Sequence, residues 1–182
     1  MSGGEILTKL TIWLTIASYA VGASAFVLSR QRSRWDSVAR MAWTVAAIGL
    51  LTHVILAYNF YYGWSQTAAY RDTARQTFEV VGFNWGGGLY INYLLLATWI
   101  VDVSWWWWRG HDAYYRRPWP LVAAWHGFLI FIIFNATVVF KTGPVRWLGL
   151  VVCLGLGFVW LLTAGRTRLA RRGKYPLTVT ED

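Results

Sequence analysis

The chain has 182 residues, of which 57% are hydrophobic and 14% charged, with a mean hydropathy of +0.38. Soluble domains carry roughly 25% charged residues, so this chain has too few to cover a water-facing surface, and no polar block is long enough for a separate soluble domain. The net charge of +9 would suggest nucleic acid in a soluble protein. Here the basic residues flank apolar runs, so lipid headgroups are the expected partner and nucleic acid is not.

A membrane-crossing helix needs roughly 20 mostly apolar residues. Five segments qualify, at about 10–28, 41–60, 88–108, 119–140 and 147–164. They predict an all-α membrane protein, one integral membrane domain built as a five-helix bundle. Lys and Arg collect in alternate gaps. Twelve lie in the first gap (Arg30, Arg32, Arg34, Arg40), the third gap (Arg109, Arg116, Arg117) and the tail (Arg166, Arg168, Arg171, Arg172, Lys174). Five lie on the other side: Lys9, Arg71, Arg75, Lys141 and Arg146. Cytoplasmic loops carry the excess of positive charge, which predicts an outside N-terminus and a cytoplasmic C-terminus in a bacterial-type inner membrane.

The first segment has a rival reading as a signal peptide, because Ala23-Ser24-Ala25 resembles a cleavage site. Its leading residues Glu5 and Lys9 give no net positive charge, and arginines cluster from Arg30, where a translocated chain would begin. An uncleaved span is therefore expected. Within it Thr11, Thr15, Ser18, Gly22 and Ala25 form a small-residue stripe, matched by Ala42, Ala46, Gly49, His53 and Ala57 in the second span and by Gly149, Cys153 and Gly157 in the fifth. Small residues let helices approach closely in lipid, so these faces predict packing within the bundle, self-association or contact with other membrane subunits.

The outer gap, residues 61–87, is the longest. Ser65 can cap a helix that runs to about Val81 and stops at Gly82. Tyr70, Ala74, Phe78 and Val81 would share one side of a short amphipathic helix on the membrane surface or over the span ends. Gly86, Gly87 and Gly88 then open the third span, whose first N–H groups and positive dipole end face outward. With Arg71, Arg75, Tyr90 and Asn92 they form a candidate outer site for a lipid phosphate, a carboxylate or a quinone headgroup. The run Trp105–Trp108 ends this span and reads as an interfacial anchor.

Ionisable residues inside spans are costly and are the default functional candidates. Three qualify: His53, Asp102 and His126. Two histidines on separate helices raise a haem b with paired imidazole ligands. By helical rise, His53 lies ~18 Å and His126 ~10 Å from the cytoplasmic ends of their spans, an offset that tilt could absorb only in part. Asp102 lies ~9 Å deep, nearly level with His126, so an Asp–His pair could relay protons, orient a ligand or lock two helices. The one cysteine, Cys153, excludes a disulfide framework and a thiolate cluster. No HExxH, P-loop, GxGxxG, GxSxG or CxxC motif occurs. Three functions remain open: a non-catalytic subunit or small-ligand-binding component of an inner-membrane complex, a haem- or quinone-binding redox protein, and a lipid-binding or lipid-modifying protein.

Overall fold

The computed structural model describes residues 3–29, 34–140, 143 and 145–158. Arg30, Arg32, Lys141, the end of the fifth expected span and the tail cations at 166–174 lie outside these residues. Every regular element among the described residues is helical. α1 is Gly3–Ser29; α2 is Arg34–Ala57 and runs into a π-helical turn, Tyr58–Tyr62. α3 is Gln66–Val81, α4 is Gly88–Tyr115, and α5 is Trp119–Phe134 with a second π-helical turn at Asn135–Val139. A sixth helix, α6, covers Val145–Phe158.

Three helical stretches, Gly3–Phe26, Trp35–Tyr62 and Trp119–Val139, are long and apolar enough to cross a membrane. The first two start well before the apolar spans expected at residues 10 and 41. Hydropathy marks where lipid solvation begins, whereas backbone hydrogen bonding continues through polar flanks. α4 is as long as a span, but Asp102 and its tyrosines and tryptophans dilute its apolar character.

α1 and α2 form an antiparallel hairpin held at close range by small residues. A Cβ on Gly49 would come within 2.7 Å of Thr15 Oγ1, one on Gly22 within 3.2 Å of the Trp43 ring, and one on Gly4 within 2.5 Å of the Phe60 ring. The partner number falls as the glycine number rises from 4 to 22, which is the signature of antiparallel packing. Thr11 and Thr15 of the first expected stripe thus face Gly49 of the second, while Gly22 packs against Trp43 and Ala39. Close backbone approach replaces the hydrophobic drive that lipid cannot supply.

α4 runs antiparallel to α2, and its path breaks at Gly110 (φ 76°, ψ −176°). That backbone region is essentially reserved for glycine. The five helical residues beyond the break, with Arg116 and Arg117, fold back over the bundle end. The core gathers at this arginine-rich end, where Tyr19, Phe26, Trp43, Trp99, Trp106 and Tyr114 are buried together. Trp106 therefore belongs to the core, whereas Trp105, Trp107 and Trp108 are exposed and suit the anchoring role.

α3 has the predicted ends. Ser65 Oγ accepts from the Ala68 N–H at 3.2 Å, and Gly82 (φ 73°) closes the helix through its N–H to the Phe78 carbonyl. Ala69 and Ala74 are buried, whereas Phe78 and Val81 are exposed. A Cβ on Gly86 would come within 2.5 Å of the Tyr70 carbonyl oxygen, so contact is close enough to require small side chains.

Candidate functional site

Asp102 is the hub of the arginine-rich end. It sits on α4, one-tenth exposed, and both carboxylate oxygens are engaged. Trp43 Nε1 donates to Oδ2 at 2.8 Å, Tyr114 Oη donates to the same oxygen at 2.7 Å, and Arg117 Nη1 donates to Oδ1. In a continuous helix Asp102 and Arg117 would stand ~22 Å apart, far beyond the reach of an arginine. The Gly110 break brings them together. Arg117 also donates through Nε to the Tyr114 carbonyl at 3.0 Å, and its guanidinium lies 3.6 Å from the centre of the Tyr114 ring. That ring stacks on Trp106 at 3.8 Å with an interplanar angle of 7°. The result is a guanidinium–phenol–indole stack leaning on a neutralised carboxylate.

Chemically this cluster favours fixity. Burial, then the Asp102 carboxylate, raises the Tyr114 phenol above its ordinary range, so it stays a proton-bearing donor. The Asp102 carboxylate already accepts from three donors on its two oxygens. Sequence position pointed to His126 as a partner of Asp102; the carboxylate takes hydrogen bonds from Trp43, Tyr114 and Arg117. His126 stands among the rings of Tyr19, Phe26 and Trp43, with centroid separations of 6.5, 5.8 and 5.5 Å.

His53 occupies a different level. Its Nδ1 donates to the Thr8 carbonyl at 2.9 Å and ties α2 to the first turns of α1. Thr8 in turn bonds the Gly4 carbonyl at 2.8 Å. His53 lies ten residues along α2 from Trp43, on which His126 rests, an axial separation of ~15 Å. One iron needs both imidazole nitrogens within coordination reach of a single atom, so the two histidines do not converge on a haem. No group of three or more His, Cys, Asp or Glu able to hold a metal occurs among the described residues.

Several of the outer candidates are likewise engaged in structure. Leu89 N–H donates to the Gly86 carbonyl, while Tyr90 and Ile91 N–H both donate to that of Gly87, so three of the first amides of α4 are occupied. Gly86 and Gly87 lie tight against Tyr70 and the Trp85 ring, and Gly88 approaches Thr73. Close packing thus explains the glycine triplet. Arg75 pairs with Asp72 at 2.5 Å and with Glu79 at 3.3 Å; Arg71 and Asn92 are exposed. Tyr90 packs beside Tyr70 and Tyr93. The Tyr58 and Tyr93 hydroxyls converge on Gln66 Oε1, at 2.5 and 2.7 Å, so the end of α2, α3 and α4 meet at one amide.

Residue spacing did not single out Trp43, Tyr114, Arg117 or the pair Asp36–His111, whose Oδ1 and Nδ1 lie 2.6 Å apart. The available signal was Gly110 just past the tryptophan run, a break that lets the following tyrosines and arginines return to Asp102 on α4. No family model, curated protein or solved structure matches this chain.

Proposed function

We propose that this is a five-span integral membrane protein, outside at its N-terminus and cytoplasmic at its C-terminus. It acts as a non-catalytic subunit or small-ligand- and lipid-binding component of an inner-membrane complex. α4 and α6 complete the five spans beside the three strongly apolar helices. The arginine bias of the alternate gaps supports the orientation.

One observation carries the non-catalytic reading. Asp102, the most buried carboxylate in a span, is saturated by Trp43, Tyr114 and Arg117, which join α2 to both arms of α4. His53 is likewise engaged, holding α1 to α2. The costly polar groups therefore fix helices in place, and the exposed apolar surface is left for lipid and neighbours. Native mass spectrometry from mild detergent tests this. The expected outcome is the chain with a partner subunit or bound lipid at fixed stoichiometry. A bare monomer that turns over a substrate would overturn it.

A further inference from the structure

Arg40 lies near the start of α2, at the arginine-rich end. Its guanidinium carbon is 4.2 Å from the centre of the Trp107 ring on α4. The indole is fixed there, because Trp107 Nε1 donates to Thr44 Oγ1 at 3.0 Å and Thr44 Oγ1 donates to the Arg40 carbonyl at 2.8 Å. Arg40 is half-buried, and its Nε is fully buried without a hydrogen-bond acceptor. The natural carboxylate one helical turn earlier, Asp36, stands against His111 instead. Arg40 takes no part in the contacts Asp72–Arg75, Arg75–Glu79, Asp36–His111 and Asp102–Arg117.

A half-buried cation held on an indole, its Nε without an acceptor among the described residues, is incomplete as an electrostatic unit. Its position says what completes it. Trp107 is half-exposed, and Trp105 and Trp108 beside it are also exposed, with Arg109 over both at 5.0 and 5.8 Å. Exposed indoles at a span end mark the headgroup level, where phosphodiesters are the abundant acceptors. The planar guanidinium matches phosphate oxygens in fork geometry. We propose that Arg40, floored by Trp107 and braced by Thr44, seats the phosphate of an anionic phospholipid in the leaflet at this end. The seat rests on the membrane-spanning reading but not on its orientation.

Native mass spectrometry of the full chain in detergent, with dioleoylphosphatidylglycerol or dioleoylphosphatidylcholine added at equal concentration, tests the seat. The phosphatidylglycerol adduct should exceed the phosphatidylcholine adduct. Arg40→Gln should lower it about fivefold, the effect of one interfacial cation, while Arg109→Gln changes it less. Equal adducts of both lipids, or an unchanged adduct in Arg40→Gln, would overturn the seat. Displacement of the lipid by millimolar inorganic phosphate would also do so, by showing a free-anion site. If Arg40→Gln does not stay monodisperse, Arg40→Lys decides the matter. A loss of at least about twofold on removing the fork supports the seat, since a bidentate contact exceeds a point charge, and no loss overturns it. Orientation is read separately by labelling from either side, so its failure leaves this result standing.

Discussion

At the scale of single residues, the Asp102–Arg117 pair decides most. Each partner is about one-tenth exposed, so each charge relies on the other for compensation. Removing one side of a buried pair leaves an uncompensated charge and costs about 3 kcal/mol or more. Asp102→Asn keeps the shape and loses the charge. It should lower unfolding stability in detergent by about that amount, and Arg117→Gln should do the same. In the double variant the losses should fall well short of additive, because neither charge is left alone. Strictly additive losses would show that the two side chains act independently. Depth along the sequence pointed only to His126 as a neighbour of Asp102 and gave no hint of Trp43, Tyr114 or Arg117. Depth carries no information about azimuth, and Arg117 lies beyond the span, where helical geometry places it out of reach.

At the scale of elements, Gly110 makes the hub possible. Its dihedral angles belong to a region that side-chain-bearing residues occupy at a cost of about 1–3 kcal/mol. A Cβ there would meet nothing within 4 Å, so backbone conformation alone sets the penalty. Gly110→Ala should destabilise the protein by about that range and also withdraw Arg117 from Asp102. Its effect combined with Arg117→Gln should therefore be less than the sum of the two, measured in the same unfolding assay. α3 gives a pH-dependent case. Burial pushes the Asp72 carboxyl up, but hydrogen bonds from Arg75, Tyr62 and Gln76 outweigh it and hold the group below its ordinary value. A carboxyl depressed in the folded state contributes stability above its unfolded pKa of roughly 3.9. That contribution is lost as pH falls through the folded value. Hydrogen exchange across 66–81 should therefore quicken as pH drops below roughly 4, after correction for intrinsic rates. Asp72→Asn should flatten this dependence, and an unchanged profile in the variant would assign it to other groups.

At the scale of the whole molecule, legibility followed the physics of each signal. The α3 boundaries were readable because Ser65 and Gly82 act locally, through one cap bond and one left-handed residue. The α1–α2 contact was readable because small residues at helical spacing have one main use in lipid. The α3 contact was less legible, because the residues that meet Gly86 and Gly88 are Tyr70 and Thr73, which an apolar stripe does not mark out. The hub was hidden because it joins α2 to a segment that returns only through Gly110. Topology remains the property on which depth, leaflet and function all depend, and the single cysteine makes it directly measurable. In a Cys153→Ala background, Ser65→Cys, in the loop before α3, should react with a membrane-impermeant maleimide on intact cells. Arg116→Cys, beyond the break in α4, should react only after permeabilisation. Both sites are exposed on the protein, so reactivity reports the side of the membrane and not burial. The inverse pattern would place the twelve-cation side outside, contrary to the charge bias. Reaction of both sites on intact cells would mean that α4 does not span, which would reduce the bundle to the helices that are apolar along their whole length.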